Sequence, residues 1–274
     1  MTVEPTTSPT AAPVAPEPPA GHGLLRDKVV VVTAAAGTGI GFATAKRCIE
    51  EGAVVVVSDA HERRLGETAD ALAELPESKG VRPLAVPCNV TVESEVQRLY
   101  DAAVAEHGQF DVAVNNAGLG GQVDVVDMTD EQWDVVLDVT LTGTFRCTRA
   151  ALRHFYGRGG GGVIVNNASV LGWRAQAGQA HYAAAKAGVM ALTRCSAVEA
   201  APHGVRINAV SPSLAVHPFL NKVMADDDLA ELARREVFGR GAEVWEVANV
   251  IAFLASDYAT FMTGEVVSVS SQHA

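Results

Sequence analysis

The sequence predicts an α/β protein, a single doubly wound domain on a mostly seven-stranded parallel sheet. Three observations carry this expectation. From Lys28 onward, short runs rich in Val and Ile alternate with amphipathic stretches of helical length. The first such run leads directly into a Gly-rich turn and then a helix. No change of composition after residue 23 marks a second domain, and 274 residues lie within the reach of one core.

Residues 1–22 stand apart. Half of the twelve prolines fall there, among Ala and Thr. Such a segment buries too little apolar surface to offset its ordering entropy, so it is expected to be a disordered tail ahead of a domain at 23–274. Strands are expected at Val29–Val32, Val54–Ser58, Arg82–Val86, Val112–Val114, Val163–Asn166, Arg206–Ala209 and Glu265–Val269. Continuous apolar runs of this length suit strands covered on both faces. Helices are expected at Gly41–Glu51, Glu62–Leu75, Glu93–His107, Asp130–Phe155, Ala180–Ala200, Leu229–Glu236 and Val244–Ala255.

The formal charge of −11 disfavours nucleic acid or an anionic membrane as a partner, because like charges repel. No apolar run is long enough to span a bilayer, and no basic region followed by an apolar core opens the chain. Cys48, Cys88, Cys147 and Cys195 show no CxxC or Cys/His spacing. They read as reduced thiols of a cytoplasmic protein, with no metal site.

The first strand runs into Thr33-Ala34-Ala35-Ala36-Gly37-Thr38-Gly39-Ile40-Gly41. Three glycines let a backbone approach a pyrophosphate closely, and the helix N-terminus offers free N–H groups and the positive end of its dipole. An ordinary tight strand-to-helix turn has the same look. The second strand ends at Asp59, twenty positions after Gly39. A carboxylate there accepts both hydroxyls of an adenosine ribose and repels a 2′-phosphate, which favours NAD over NADP. Arg63 and Arg64 follow and soften that preference, unless they are simply solvated.

Tyr182-Ala183-Ala184-Ala185-Lys186 puts Tyr and Lys one helical turn apart on the same face. Proton transfer gives a reason for the pairing. Bringing a tyrosine from a pKa near ~10 to about 7 needs roughly 4 kcal/mol. One cation about 4 Å away at an effective dielectric of ~20 supplies about that much. Alone, the spacing also fits any amphipathic helix face. Ser169, thirteen positions before Tyr182, ends a strand, where active sites of α/β sheets collect. Its hydroxyl there can hold a substrate oxygen while Tyr182 moves the proton.

With these residues in place, the chain over 24–274 resembles the short-chain dehydrogenase/reductase family, which has a Rossmann fold. The matching pieces are Gly39-Ile40-Gly41, Asp59, Asn115-Asn116-Ala117-Gly118, Ser169, Tyr182 with Lys186, Ile207–Pro212 and Thr263-Gly264. The resemblance implies an NAD(P)-dependent oxidoreductase acting on CH–OH donors. It implies that Asn116, Ala117 and Gly118 line the cofactor, that Asn89 and Val90 touch the adenine, and that Pro212 and the stretch to Ala215 meet the nicotinamide. Departures are visible. The turn is one residue longer than the family's, with Ala34 and Ala35 where a glycine is expected. Asn89 replaces the usual Asp, Ser213 a glycine and His217 a threonine. Thr140 stands where an asparagine usually completes a proton relay. Its hydroxyl either holds a relay water or bonds back to the carbonyl one turn earlier.

Three functions compete: a dehydrogenase of a ring alcohol, a 3-oxoacyl-thioester reductase, and a catalytically silent NAD-binding protein. The turn, Asn166–Trp173 and the stretch after Ser213 are similar to enzymes of actinobacterial steroid (cholesterol) catabolism that act on a bicyclic CoA thioester. A segment at about 214–240, with Pro218, Phe219, Leu220, Val223 and Met224, is expected as a substrate lid. Trp173 is expected as the opposite wall. Arg174, Lys222, Arg234 and Arg235 are the cations available to a phosphate-bearing tail. The outer faces of Asp130–Phe155 and Ala180–Ala200 carry enough apolar residues to predict a homodimer or homotetramer.

Overall fold

The computed structural model describes residues 14–217 and 226–271. Nine strands are described: β1 (Val29–Val32), β2 (Val54–Asp59), β3 (Leu84–Pro87), β4 (Val112–Asn115), β5 (Gly162–Asn167), β6 (Val205–Pro212), β7 (Ala215–Val216), β8 (Ala242–Glu243) and β9 (Val266–Val269). The helices are α1 (Ile40–Glu50), α2 (Glu62–Ala73), α3 (Glu93–His107), α4 (Asp130–Leu137), α5 (Gly143–Gly157), α6 (Ala180–Ala200), α7 (Asp226–Arg235) and α8 (Val244–Ala255). Seven strands form one sheet in the order β3-β2-β1-β4-β5-β6-β9, and every pairing in it is parallel.

Strand alternation assigns each side chain to a layer. Val30 and Val32 enter one core with Val55 and Val57, closed by Ile49 of α1, Leu65 of α2 and Ile251 of α8. Val29 and Val31 enter the other with Val56, closed by Leu99 of α3, Phe155 of α5 and Ala197 of α6. The chain steps outward from β1 to β2 and β3, then returns to place β4 on the other side of β1. The crevice at that reversal, beyond the carboxyl ends of β1 and β4, is where this architecture holds ligands.

Two expectations are corrected. The tail does not extend to residue 22. The His22 and Leu24 backbone N–H groups donate to Glu51 Oε2 at 2.8 and 2.9 Å. Arg47 pairs with buried Glu51 and donates to the Pro19 and Ala20 carbonyls. The helix expected over 130–155 is interrupted by a π turn at Asp138–Thr142. Just beyond it, a Cβ at residue 143 would lie 2.6 Å from a Val90 methyl, so only glycine admits that contact. The segment expected as a lid is rooted on a separate ribbon, in which Ala215 and Val216 pair with Ala242 and Glu243. Among the described residues no helix is long and apolar enough to cross a membrane, and no cluster of His, Cys, Asp or Glu could hold a metal.

Candidate active site

The turn after β1 is anchored by Thr33, whose hydroxyl accepts from the Asn116 and Ala117 N–H groups at 2.9 and 3.2 Å. Ala34 stands at φ +48°, the left-handed region where the family's glycine would be at ease. Its carbonyl crowds residue 41, where a Cβ would sit 2.2 Å from it, so Gly41 is required. At Gly37 and Gly39 an added Cβ would meet nothing within 4 Å. These two glycines therefore border open space. α1 begins at Gly39 without a side-chain cap or an acidic residue in its first turn, leaving its N–H groups free. Thr38 is exposed and Ile40 half-buried. Asp59 is fixed beside the turn, with Ala36 N–H donating to Oδ2 at 3.2 Å and His61 N–H to Oδ1 at 2.8 Å. An open cradle, free N–H groups and a carboxylate together fit a dinucleotide.

The other cofactor-side residues divide. The Asn89 Oδ1 accepts from the Thr91 N–H and hydroxyl at 3.0 and 2.9 Å, so this side chain folds onto its own loop. The Val90 side chain is buried against Gly143, and its carbonyl accepts from the Arg146 guanidinium at 3.5 Å. Asn116 turns its amide to the Thr33 and Ala34 carbonyls at 3.2 and 3.0 Å. It supports the turn directly. Pro212 is buried at the end of β6, and Ala215 is half-buried in β7.

Ser169, Tyr182 and Lys186 come together at the carboxyl end of β5. The Ser169 Oγ accepts from the Leu171 N–H at 3.3 Å, which sets the serine just past the strand. Lys186 is buried, and its ammonium donates to the Asn167 carbonyl. Its Nζ lies 5.5 Å from the Tyr182 ring centroid. The loop after β4 covers the pair: a Cβ at Gly118 would lie 3.4 Å from Lys186 Nζ, and one at Gly120 3.5 Å from Tyr182 Cδ2. Burial pulls the Lys186 pKa down from 10.5 to about 7. Burial pushes the Tyr182 phenol up, and the hydrogen bond with Ser169 opposes that rise. The spacing is as expected, but the cation meant to lower the phenol is itself disfavoured by the same dry environment.

Thr140 makes a long-range contact that the sequence did not suggest. It is fully buried in the π turn. Its hydroxyl accepts from the Leu119 N–H at 2.9 Å and donates to the Leu119 carbonyl at 3.0 Å. The hydroxyl therefore donates to a backbone carbonyl 21 residues away and not to the preceding turn. Thr144 makes the bond back along the helix, to the Thr140 carbonyl at 2.7 Å.

On the substrate side, Trp173 is 49% exposed at the rim. Arg174 is half-buried, and no side-chain partner is found for it among the described residues. Arg234 and Arg235 both pair with Glu231, which lowers their availability to an anionic tail. Phe219, with Pro218, Leu220, Lys222, Val223 and Met224, lies outside the described residues. One residue missed by the sequence reasoning enters the site: Asn167, whose Nδ2 donates to Asn116 Oδ1 at 2.8 Å.

Fold and site define a nicotinamide-dependent oxidoreductase, and the chain belongs to the short-chain dehydrogenase/reductase family. The family profile described as enoyl-(acyl carrier protein) reductase matches residues 34–271. Among relatives, the chain is 65% identical to the (5R,7aS)-5-hydroxy-7a-methyl-1-oxo-2,3,5,6,7,7a-hexahydro-1H-indene-carboxyl-CoA reductase of Mycobacterium tuberculosis, over 95% of this chain and 98% of that one. It is 43% identical to the cis-4-hydroxycyclohexanecarboxylate dehydrogenase of Sinomonas cyclohexanicum, over 89% and 95%. A short chain dehydrogenase from Mycobacterium smegmatis superposes with a TM-score of 0.84 at 62% identity, over 95% of this chain and 99% of that one.

Proposed function

We propose that the protein interconverts a secondary alcohol and a ketone with NAD, on the ring of an alicyclic hydroxyacyl-CoA from steroid (cholesterol) degradation. The observation that carries the chemistry is the meeting of Ser169, Tyr182 and Lys186 beside the open Gly37–Gly39 cradle. The Ser169 hydroxyl donates to the substrate oxygen and fixes it. The Tyr182 phenol gives that oxygen its proton in the reductive direction and takes it back in oxidation. Lys186 stabilises the phenolate left behind. Bound nicotinamide supplies or accepts the hydride at the carbinol carbon. Gly37, Thr38, Gly39, Ile40 and Gly41 hold the pyrophosphate, and Asp59 selects NAD over NADP through the ribose hydroxyls.

Two relatives support a ring alcohol, because both of their names place the hydroxyl on a ring, and one names a CoA thioester. Trp173 offers an aromatic wall at the mouth, and Arg174 is the described rim cation left for a phosphate. The segment at about 214–240 is read as the substrate lid; its residues 218–225 lie outside the described residues. The working form is a cytoplasmic homodimer or homotetramer with neither nucleic acid nor membrane as a partner. Kinetics with matched CoA ester and free acid test the substrate. The ester is expected to have the higher kcat/KM, because its remote portion contributes binding energy. Equal values, or a preference for straight-chain 3-hydroxyacyl thioesters, would overturn the reading.

A further inference from the structure

Asn167 carries an unusual set of contacts. The Asn116 amide nitrogen donates to the Thr33 and Ala34 carbonyls, so its Oδ1 must be the atom that faces Asn167. Asn167 must in turn present Nδ2 to it, at 2.8 Å. This leaves Asn167 Oδ1 buried and without a hydrogen-bond partner. An apolar side chain would avoid that orphaned acceptor. The backbone carbonyl of the same residue receives the Lys186 ammonium. A continuous tie therefore runs from the strained turn at Ala34, through the side chains of Asn116 and Asn167, to the catalytic lysine. Its links are 82, 51 and 19 residues apart in sequence, and they add side-chain ties beyond the β1–β4–β5 ladder that aligns Val32 with Val114 and Asn115 with Asn166.

We propose that Asn167 is a positioning residue that couples the phosphate turn to Lys186, so that a dinucleotide filling the turn is felt at the lysine. A residue serving only to pack β5 has no use for the amide. The amide donor joins Asn116 and the turn it supports to the same residue whose carbonyl holds Lys186. The inference rests on the nicotinamide site proposed above and not on the acyl substrate.

A double-mutant cycle on NADH affinity tests it, read by fluorescence titration without substrate. The variants are Asn167→Leu, Lys186→Met and both together, on the full chain. Asn167→Leu is expected to weaken NADH by more than about fivefold. The double variant is expected to fall short of the product of the single losses by more than about threefold, because each change removes the same tie. If Asn167→Leu fails to fold, Asn167→Ser replaces it, since a serine side chain is too short to reach Asn116. A smaller loss for Asn167, or losses that simply multiply, overturns the proposal. The assay contains no thioester, so failure of the CoA reading leaves this result untouched.

Discussion

Lys186 carries a cost that pH should expose. It is 3% exposed, its ammonium has the Asn167 carbonyl as acceptor, and burial lowers its pKa from 10.5 to about 7. Below pH about 7, folded and unfolded chains both hold the proton, and the burial penalty is present in full. Between about 7 and 10.5 the unfolded chain still holds a proton that the folded chain has released, so stability rises with pH. Each unit is worth about 1.4 kcal/mol, so the whole window is worth roughly 5 kcal/mol and the span from pH 7 to 9 about 2.7 kcal/mol. Lys186→Met keeps the stem and removes the titration. The Cys48 and Cys88 thiols, pushed up by burial to about 12 and about 11, act in the opposite sense at higher pH. They are common to both proteins and cancel in the difference. Urea denaturation of both proteins from pH 6 to 9 measures that difference. The Met variant is expected to be the more stable at pH 6, with the gap closing by about 2.7 kcal/mol toward pH 9. A gap that stays constant across this window would refute the reasoning.

Three further outcomes are expected. Tyr182→Phe keeps the ring and loses the proton, so kcat should fall by roughly 10² to 10⁴ while NADH titrations stay close to wild type; near-normal turnover would remove Tyr182 from the mechanism. Asp59→Ala should raise the ratio of NADP to NAD kcat/KM, and a wild type that already prefers NADP would contradict the role given to Asp59. Thr140→Val preserves shape but strips both bonds from Leu119, at a cost of about 1–3 kcal/mol in denaturant stability, with slower turnover because that loop lies on Lys186. Thr140→Ser keeps the hydroxyl and should restore both; an equally impaired serine variant would point to lost packing instead.

Much of this architecture is legible in the sequence, for a physical reason. Strands and helices here answer to local periodicity, so Glu93–His107, Ala180–Ala200 and Val244–Ala255 have the same bounds in the fold as in the pattern. Tyr182 and Lys186 are visible because one helical turn dictates their spacing. What escapes the sequence depends on distant partners. The π turn at 138–142 precedes a glycine packed against Val90, more than 50 positions earlier. Thr140 reads locally as a relay or a helix bond, and the tie of its hydroxyl to Leu119 does not show there. Asn167 carries no motif at all, and its meaning comes from Asn116, 51 residues away. The tail's boundary likewise depends on Arg47 and Glu51, two charges on α1 and its cap that read locally as ordinary helix-end residues.

The phosphate turn shows how a departure from a family pattern can be absorbed. An L-residue in the left-handed region costs about 1–2 kcal/mol, and Ala34 accepts that cost where glycine would not incur it. Hydrogen bonds at the same spot are worth about 0.5–1.5 kcal/mol each. Asn116 supplies two, to the Thr33 and Ala34 carbonyls, and Asn167 orients Asn116 to do so. The offset is of the right size to hold the turn without glycine at residue 34. The glycines that remain serve other ends. Gly41 clears the Ala34 carbonyl, and Gly37 and Gly39 leave the crevice open. The alanine is thus tolerable because the strain falls on the protein side of the turn, where side-chain amides can answer it, while the ligand side stays bare.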